Sequence, residues 1–159
     1  MPRPVKKGKN WPYRSGFEKR FAEFLDTRGI PYEYEVDTFR ISVEVPKVYC
    51  GVCSSTKIKQ QTVYTPDFKT NATYLECKGR LTAKERRRIL GLLQDHPTID
   101  FRLVFMRNNP LYPRSKSRYS TWAEDNDIKY CIGHEIPNEW IKEFGGKVRR
   151  KRAKKNSST

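Results

Sequence analysis

The stretch Tyr64-Thr-Pro-Asp-Phe-Lys-Thr-Asn-Ala-Thr-Tyr-Leu-Glu-Cys-Lys-Gly79 holds two β-prone runs, 62–68 and 73–78, on either side of residues 69–72. This spacing predicts a β-hairpin with its turn at 69–72. Because side chains alternate between the faces of a strand, Glu76 and Lys78 should share one face while Cys77 points to the other. We expect Asp67 to lie opposite the start of the second strand, with its carboxylate within reach of that of Glu76.

Two carboxylates and an ammonium group on one surface suggest a hydrolytic metal site. Asp67 and Glu76 supply the hard oxygen ligands that Mg²⁺ prefers, together with backbone carbonyls and water. Lys78 would lie beside the metal, where it can orient a water molecule or stabilise negative charge in a transition state. The pattern resembles the core of the PD-(D/E)xK nuclease superfamily. The alternative is an ordinary hairpin with solvated charges, because Asp and Lys are common residues.

Length and composition favour one intracellular domain. A chain of 159 residues with 13% aromatic residues can bury an adequate core. We expect a soluble, cytoplasmic protein, because the sequence has neither a run of about 18 apolar residues nor an apolar signal-peptide core. The four Cys residues should stay reduced in that compartment.

The positive charge is concentrated at the two ends. Of the formal net charge of +15, residues 1–14 supply five cations and residues 147–159 supply seven, with no acid in either segment. We therefore predict a basic arm at 1–13, a near-neutral nuclease domain at 14–144 and a basic tail at 145–159. Basic arms suit a polyanion such as DNA, since each neutralised phosphate releases condensed counterions. A solubilising tail or a localisation signal is the alternative.

The remaining sequence predicts an α/β fold with a mixed β-sheet flanked by helices. Two helices start at capping-box patterns, Ser15 with Glu18 and Thr82 with Glu85. The first should end at Gly29, and the second near Gln94. The other predicted elements are strands at 31–36, 39–45, 99–106 and 128–132 and short helices at 120–126 and 137–141.

Two features of these helices have a structural and a functional interpretation. Glu18 can cap its helix, but it also borders the buried stripe and can face a site on the sheet. Lys84 and the three arginines at 86–88 place positive charge near the start of the second helix, which is unfavourable for the helix dipole. They therefore form either a phosphate contact or a solvated face.

Several ordered motifs together resemble a known family. They are Arg14-Ser-Gly-Phe-Glu18, Gly29-Ile-Pro-Tyr-Glu-Tyr-Glu35, Tyr64-Thr-Pro-Asp-Phe68, Glu76-Cys-Lys-Gly79, His96-Pro-Thr-Ile-Asp-Phe-Arg-Leu-Val-Phe105 and Ile136-Pro-Asn-Glu-Trp-Ile-Lys-Glu143. In sequence and spacing, over roughly residues 14–143, they are similar to the phage endonuclease I family of Holliday junction resolvases. The resemblance implies a restriction-endonuclease-like hydrolase that cuts four-way junctions and other branched DNA with Mg²⁺ or Mn²⁺.

The resemblance also implies residue roles. Glu18, Asp67, Glu76 and Lys78 fall on the family's active-site positions, and Glu33 matches a further Glu linked to activity. Two metal ions are implied in each site, one held by Asp67, Glu76 and the backbone carbonyl of Cys77 and the second held with help from Glu18. We expect DNA contacts from Lys6, Lys7, Lys9, Arg14, Ser15, Arg86, Arg87, Lys147, Arg149 and Arg150.

The family resemblance further implies a strand-exchanged homodimer. The alternating strand at about 38–46 is the natural bridge between subunits, and Glu18 would then act in trans with Asp67, Glu76 and Lys78. A two-fold symmetric dimer suits a junction that needs two matched cuts.

The segment between Val45 and Val63 is longer than expected and carries Cys50-x-x-Cys53. One such pair is half of a structural zinc site, so two copies across a dimer axis can complete a Cys₄ site. The alternative is a pair of ordinary loop thiols.

Two other functions remain open at this point. A restriction-like or mismatch-nicking enzyme of the same superfamily would cut linear duplex as readily as a junction. A non-enzymatic basic DNA-binding protein would use these acids only for structure.

Overall fold

The computed structural model describes residues 12–45 and 58–148 of the chain, which form four α-helices and seven β-strands. The helices are α1 (Gly16–Arg28), α2 (Ala83–Asp95), α3 (Tyr119–Asp125) and α4 (Asn138–Glu143). The strands are β1 (Glu33–Tyr34), β2 (Phe39–Val45), β3 (Ile58–Tyr64), β4 (Phe68–Thr70), β5 (Thr73–Lys78), β6 (Asp100–Phe105) and β7 (Lys129–Ile132). The predicted mixed α/β architecture is confirmed.

Five strands form the main sheet in the order β1-β4-β5-β6-β7. The pairs β1–β4 and β4–β5 are antiparallel, whereas β5–β6 and β6–β7 are parallel. Helices α2 and α3 lie in the two connections between parallel strands, which need a crossover. Lys78 pairs with Phe105, so β5 and β6 end at the same edge of the sheet.

The predicted hairpin forms between β4 and β5, but its limits differ from those expected. Its turn is shorter and consists of Asn71 and Ala72, with Asn71 at φ 51°. The run 62–68 is not one strand, because β3 ends at Tyr64 and β4 begins at Phe68. Pro66 lies in this break, and its missing N–H cannot continue a strand ladder.

A second sheet consists of β2 and β3 alone. The two strands pair antiparallel from Phe39 opposite Tyr64 to Val45 opposite Ile58, and β2 packs on α2. In the described chain, the strand that we expect to bridge two subunits therefore pairs within its own subunit.

The core has two parts, one on each face of the main sheet. Phe21, Phe68 and Leu75 belong to the cluster that joins α1 and α4 to the sheet. Leu103 belongs to the opposite cluster, where α2, α3 and the β2–β3 hairpin pack, as does Leu92 of α2. Strand β6 contributes to both clusters through the alternation of its side chains.

The helix limits agree closely with the capping residues. Ser15 caps α1, and Gly29 ends it in the left-handed conformation at φ 67°. Thr82 and Glu85 form a complete capping box at the start of α2. Leu90 of α2 is 38% exposed.

The chain keeps contact with the body of the protein beyond Gly145. The backbone N–H of Lys147 donates to the carbonyl of Arg28, with N and O 2.8 Å apart. Among the helices of the described ranges, none is long and apolar enough to cross a membrane.

Candidate active site

Asp67 and Glu76 meet where the β4–β5 hairpin opens. Because Phe68 pairs with Leu75, the next residue outward, Asp67, faces Glu76, the fourth residue of β5, rather than the start of that strand as expected. The backbone N–H of Asp67 donates to Oε2 of Glu76 over 3.2 Å. Oδ2 of Asp67 accepts from the backbone N–H of Cys77 over 2.8 Å. The hairpin backbone thus holds both carboxylates.

Burial and mutual repulsion disfavour full ionisation of this pair. Glu76 is only 4% exposed. Burial, followed by the charge of Glu76, raises the pKa of Asp67 to about 8. Burial also raises the pKa of Glu76, although the nearby charge of Lys78 opposes this effect. A cation bound between the two carboxylates would offset their repulsion, so this pair of acids favours cation binding.

Lys78 lies between two carboxylates, on the predicted face of β5. Its Nζ is 2.7 Å from Oε1 of Glu76 and 3.3 Å from Oε1 of Glu85. Burial lowers the pKa of Lys78, but the charge of Glu76 and its hydrogen bond outweigh burial, and the pKa is raised overall. Lys78 is therefore a fixed ammonium group. Cys77 points to the opposite face, into the core with α1.

Glu18 combines the two roles considered for it. Its backbone N–H donates to Oγ of Ser15, which caps α1. Its buried carboxylate accepts from Oγ of Ser15 over 2.7 Å, from the backbone N–H of Arg14 over 3.0 Å and from the hydroxyl of Tyr34 over 2.6 Å. Burial, and then the hydrogen bond to Glu18, raises the pKa of Tyr34. These donors fix the carboxylate in place.

One cavity of about 410 Å³ brings the four predicted catalytic residues together. Glu18 reaches it from α1, Asp67 from the residue just before β4, and Glu76 and Lys78 from β5. The complete lining is Arg14, Glu18, Val63, Tyr64, Thr65, Asp67, Glu76, Cys77, Lys78, Glu85 and Arg88. All of these residues belong to the one described chain, and the action of Glu18 in trans stays a prediction.

Among the lining residues that the sequence does not single out for the site, three have ionisable side chains, namely Glu85, Arg88 and Tyr64. The pattern at Glu85 indicated only a helix cap, and the cap does form. Arg88 is predicted only as one of three consecutive arginines that form either a phosphate contact or a solvated face, and the sequence does not distinguish it from Arg86 and Arg87. Tyr64 adjoins the Thr-Pro-Asp motif, but its period-two position gave no sign that its hydroxyl lies close to Glu76.

The oxygen ligands of the cavity are few, but they fit a hard divalent cation. Among residues 12–45 and 58–148, no three His, Cys, Asp or Glu side chains form a metal-binding group. Asp67 and Glu76 nevertheless supply two adjacent carboxylates whose joint ionisation is unfavourable without a cation. Mg²⁺ is commonly held by one or two carboxylates with water and substrate phosphate. The buried hydroxyl of Tyr64 lies near the carboxylate of Glu76.

The other expected site residues are scattered. Glu33 is exposed and lies outside the cavity lining. Arg14 lines the cavity and pairs with Glu35, Ser15 is engaged by Glu18, and Lys147 is exposed. Lys6, Lys7, Lys9, Cys50, Cys53, Arg149 and Arg150 lie outside the described residues.

Arg86 and Arg87 are both half-buried, and neither lines the cavity. Nη1 of Arg86 donates to the carbonyl of Leu81, and Arg87 lines a different groove with Ser42 and Leu90.

Comparison with known proteins adds independent information. A family model described as phage endonuclease I matches residues 3–159. The chain is 32% identical over 133 residues to Endonuclease I of Escherichia phage T7, which covers 82% of this chain and 79% of that protein. It is 31% identical over 133 residues to Endodeoxyribonuclease 1 of Enterobacteria phage T3, which covers 82% and 78% of the two chains.

Proposed function

The chain belongs to the phage endonuclease I family, and from this premise we propose that it is an endodeoxyribonuclease that resolves four-way (Holliday) junctions and other branched DNA. The observation that carries the proposal is the convergence of Glu18, Asp67, Glu76 and Lys78 on one cavity. The relatives with these names come from phages, which supports action in the host-cell cytoplasm.

We propose that the reaction depends on Mg²⁺ or Mn²⁺, with two ions in each site. Asp67, Glu76 and the carbonyl of Cys77 would hold one ion, and Glu18 would help to hold the other. When bound, such ions activate a water nucleophile and stabilise the leaving oxygen in phosphodiester hydrolysis.

The side chains of the cavity have separate tasks in this scheme. Lys78 keeps its proton because its pKa is raised, so its Nζ offers permanent positive charge next to the acids. Tyr34, Ser15 and the backbone of Arg14 hold the carboxylate of Glu18 in position. The main chain of the hairpin does the same for Asp67. Such preorganised charge is effective because it needs no rearrangement during the reaction.

A cleavage assay on one synthetic four-way junction, with a linear duplex of the same sequence beside it, tests this function. We expect Mg²⁺-dependent cleavage of the junction in preference to the duplex. Asp67→Asn and Lys78→Ala should abolish cleavage and leave junction binding in a gel shift largely intact. Equal cleavage of both substrates would favour a restriction-like or mismatch-nicking nuclease. If neither substitution changed any measurable activity, the protein would be a non-enzymatic DNA-binding protein.

We also propose a restriction-endonuclease-like, strand-exchanged homodimer, because two matched sites suit two symmetric cuts. Within the described subunit Glu18 lines the same cavity as Asp67 and Glu76, so exchange through 38–46 would replace this Glu18 with the copy from the partner subunit. Mixing inactive Glu18→Ala and Asp67→Asn proteins distinguishes the two arrangements. With exchange, a mixed dimer has one intact site made of residues from both chains and one site with both substitutions. It then nicks the junction, whereas without exchange both of its sites are inactive.

The zinc hypothesis for Cys50 and Cys53 stays a prediction. It requires about one zinc ion per dimer, shared by the four thiolates of two chains. Far less zinc than that in protein purified without added metal would contradict it.

A further inference from the structure

The three consecutive arginines of α2 differ in what they contact. Residues three apart on a helix share a face, so Arg88 follows Glu85 onto the face that meets the cavity. Arg86 turns back to the carbonyl of Leu81. Arg87 lines a separate groove beside β2. Only Arg88 of this run therefore brings its guanidinium to the candidate active site.

The guanidinium of Arg88 is held from two sides. Nη2 donates to the carbonyl of Val63 over 2.7 Å. The guanidinium carbon lies 5.4 Å from the centre of the Tyr64 ring, a cation–π contact. These contacts come from the last two residues of β3, so the second sheet positions this side chain.

Arg88 also differs from the other cations of the cavity in whether a carboxylate neutralises its charge. Lys78 contacts two carboxylates, and Arg14 pairs with Glu35 over 2.8 Å. Across residues 12–45 and 58–148, Arg88 has no carboxylate within ion-pair distance. The positive charge of Arg88 is thus available to an anion from outside the protein.

Arg88 also has a donor without an acceptor. Its Nε is buried and has no hydrogen-bond partner within the described ranges. The hydroxyl of Tyr64, which is 5% exposed, lies on the same cavity wall, near the carboxylate of Glu76. Buried polar groups without partners are uncommon in stable cores, and they often mark a place where a ligand or water completes the structure.

We propose that Arg88, supported by the ring of Tyr64, forms a phosphate-binding subsite for the DNA strand at the cleavage position. This inference rests on the proposed nuclease function. The cavity also contains Glu18, Asp67, Glu76 and Glu85, so a phosphodiester that enters it needs a cation that the acids have not neutralised. Arginine suits this task, because its planar fork matches the oxygens of a phosphate group.

Arg28 provides a matched control. Its guanidinium also lies over an aromatic ring, 5.1 Å from the centre of Phe24, and its Nε is likewise buried without an acceptor in the described protein. It lines a separate cavity of about 310 Å³ near the end of α1, away from the paired acids. Arg28→Ala thus removes the same charge and the same kind of contact without touching the site.

The experiment compares Arg88→Ala, Arg88→Lys and Arg28→Ala in the full-length protein on a synthetic four-way junction. Binding is measured without divalent ions over a range of salt concentrations, and cleavage is measured in a single turnover with Mg²⁺. We expect Arg88→Ala to reduce the slope of log K against log salt by about one, the loss of one phosphate contact. Its cleavage rate should fall about tenfold or more. Arg88→Lys should keep most of the slope, and Arg28→Ala should match the wild type.

The same slope and rate for Arg88→Ala and Arg28→Ala would overturn the inference. Arg88→Gln, which keeps most of the side-chain stem, is measured in parallel so that the result does not depend on the folding of the alanine variant. If the wild-type protein itself cleaves no DNA, the proposed function fails. If the wild type cleaves and Arg88→Ala cleaves equally well, only the subsite fails.

Discussion

The backbone amide of Asp67 donates a hydrogen bond to the side chain of Glu76, so the hairpin itself holds together two acids whose charges repel. The carboxylate of Asp67 is in turn fixed by the amide of Cys77. Because the main chain prevents the carboxylates from moving apart, their repulsion favours the protonated form and raises the pKa. Burial and the charge of Glu76 raise the pKa of Asp67 to about 8.

This pKa predicts a pH-dependent stability for the metal-free protein. An unfolded Asp titrates near pH 4, well below the folded value. Stability from this group is therefore fully present below about pH 4 and is lost as the pH rises through about 8. Asp67→Asn removes this titration, so its free energy of unfolding relative to wild type should increase between pH 5 and pH 8.5, by about 4 kcal/mol.

Denaturant unfolding in the presence of a chelator at both pH values measures this effect. Saturating Mg²⁺ should then stabilise the wild type at pH 8.5 and have little effect on Asp67→Asn, because ligand binding to the folded state raises its stability. A constant difference between the two proteins across this pH range would show that Asp67 titrates normally.

Glu85 should position Lys78 as well as cap α2. One oxygen of Glu85 is 3.3 Å from Nζ of Lys78, and the other accepts from the backbone N–H of Thr82 over 2.8 Å. Glu85→Gln keeps an oxygen for the cap and removes the charge beside the ammonium group. We expect a modest loss of stability of about 0.5 kcal/mol and a fall in the single-turnover cleavage rate of about tenfold.

Thr82→Ala is the control for this prediction, since it weakens the same cap without touching Lys78. It should cost about 1 kcal/mol of stability and leave the cleavage rate near that of the wild type. Equal cleavage rates in Thr82→Ala and Glu85→Gln would assign Glu85 a structural role alone.

Local patterns in the sequence were sufficient to predict the centre of the site. Alternation along β5 placed Glu76 and Lys78 on one face, because the period of a strand does not depend on its neighbours. The capping residues set the start of α1 and therefore place Glu18 in its first turn. These predictions required only contacts between residues close in the chain.

The parts that sequence reasoning missed depend on how separate elements pack. Tyr64 and Phe68 lie in one β-prone run but belong to different sheets, because the chain breaks around Pro66. The difference between Arg87 and Arg88 depends on which side of α2 meets β3, and composition cannot specify that. The register of the hairpin, which decides that Asp67 faces Glu76, was also set by a shorter turn than expected.

Arg102 should be a major stabilising residue of the domain with no direct role in cleavage. Its side chain is 1% exposed, contacts the carboxylates of Asp100 and Glu143, and lies 4.8 Å from the centre of the Trp140 ring. It therefore ties α4 to β6. We expect Arg102→Ala to lower the free energy of unfolding by about 3 kcal/mol, because two carboxylates lose their partner and a cavity forms.

Glu143→Gln is the milder comparison for Arg102, since the side chain of Glu143 is 50% exposed and can be solvated. It should cost about 1 kcal/mol or less in the same denaturant titration. Junction cleavage by folded Arg102→Ala protein at low temperature should remain near the wild-type rate. A loss of cleavage without a loss of stability would contradict this assignment.

Gly91 should be required for the close packing of α2 on β2. A Cβ atom at this position would lie 2.6 Å from the carbonyl oxygen of Ser42, which is backbone and cannot turn away. Alanine favours a helix over glycine by about 1 kcal/mol, but the clash must push the helix and strand apart. We therefore expect Gly91→Ala to destabilise the protein by about 1 to 3 kcal/mol in thermal or denaturant unfolding.

Gly16→Ala is the control, because a Cβ there meets no atom within 4 Å and α1 should tolerate it. Strand β3 pairs with β2 and positions Arg88, so Gly91→Ala should also reduce the cleavage rate. If the variant were as stable and active as the wild type, the contact between α2 and β2 would be looser than the distance of 2.6 Å implies.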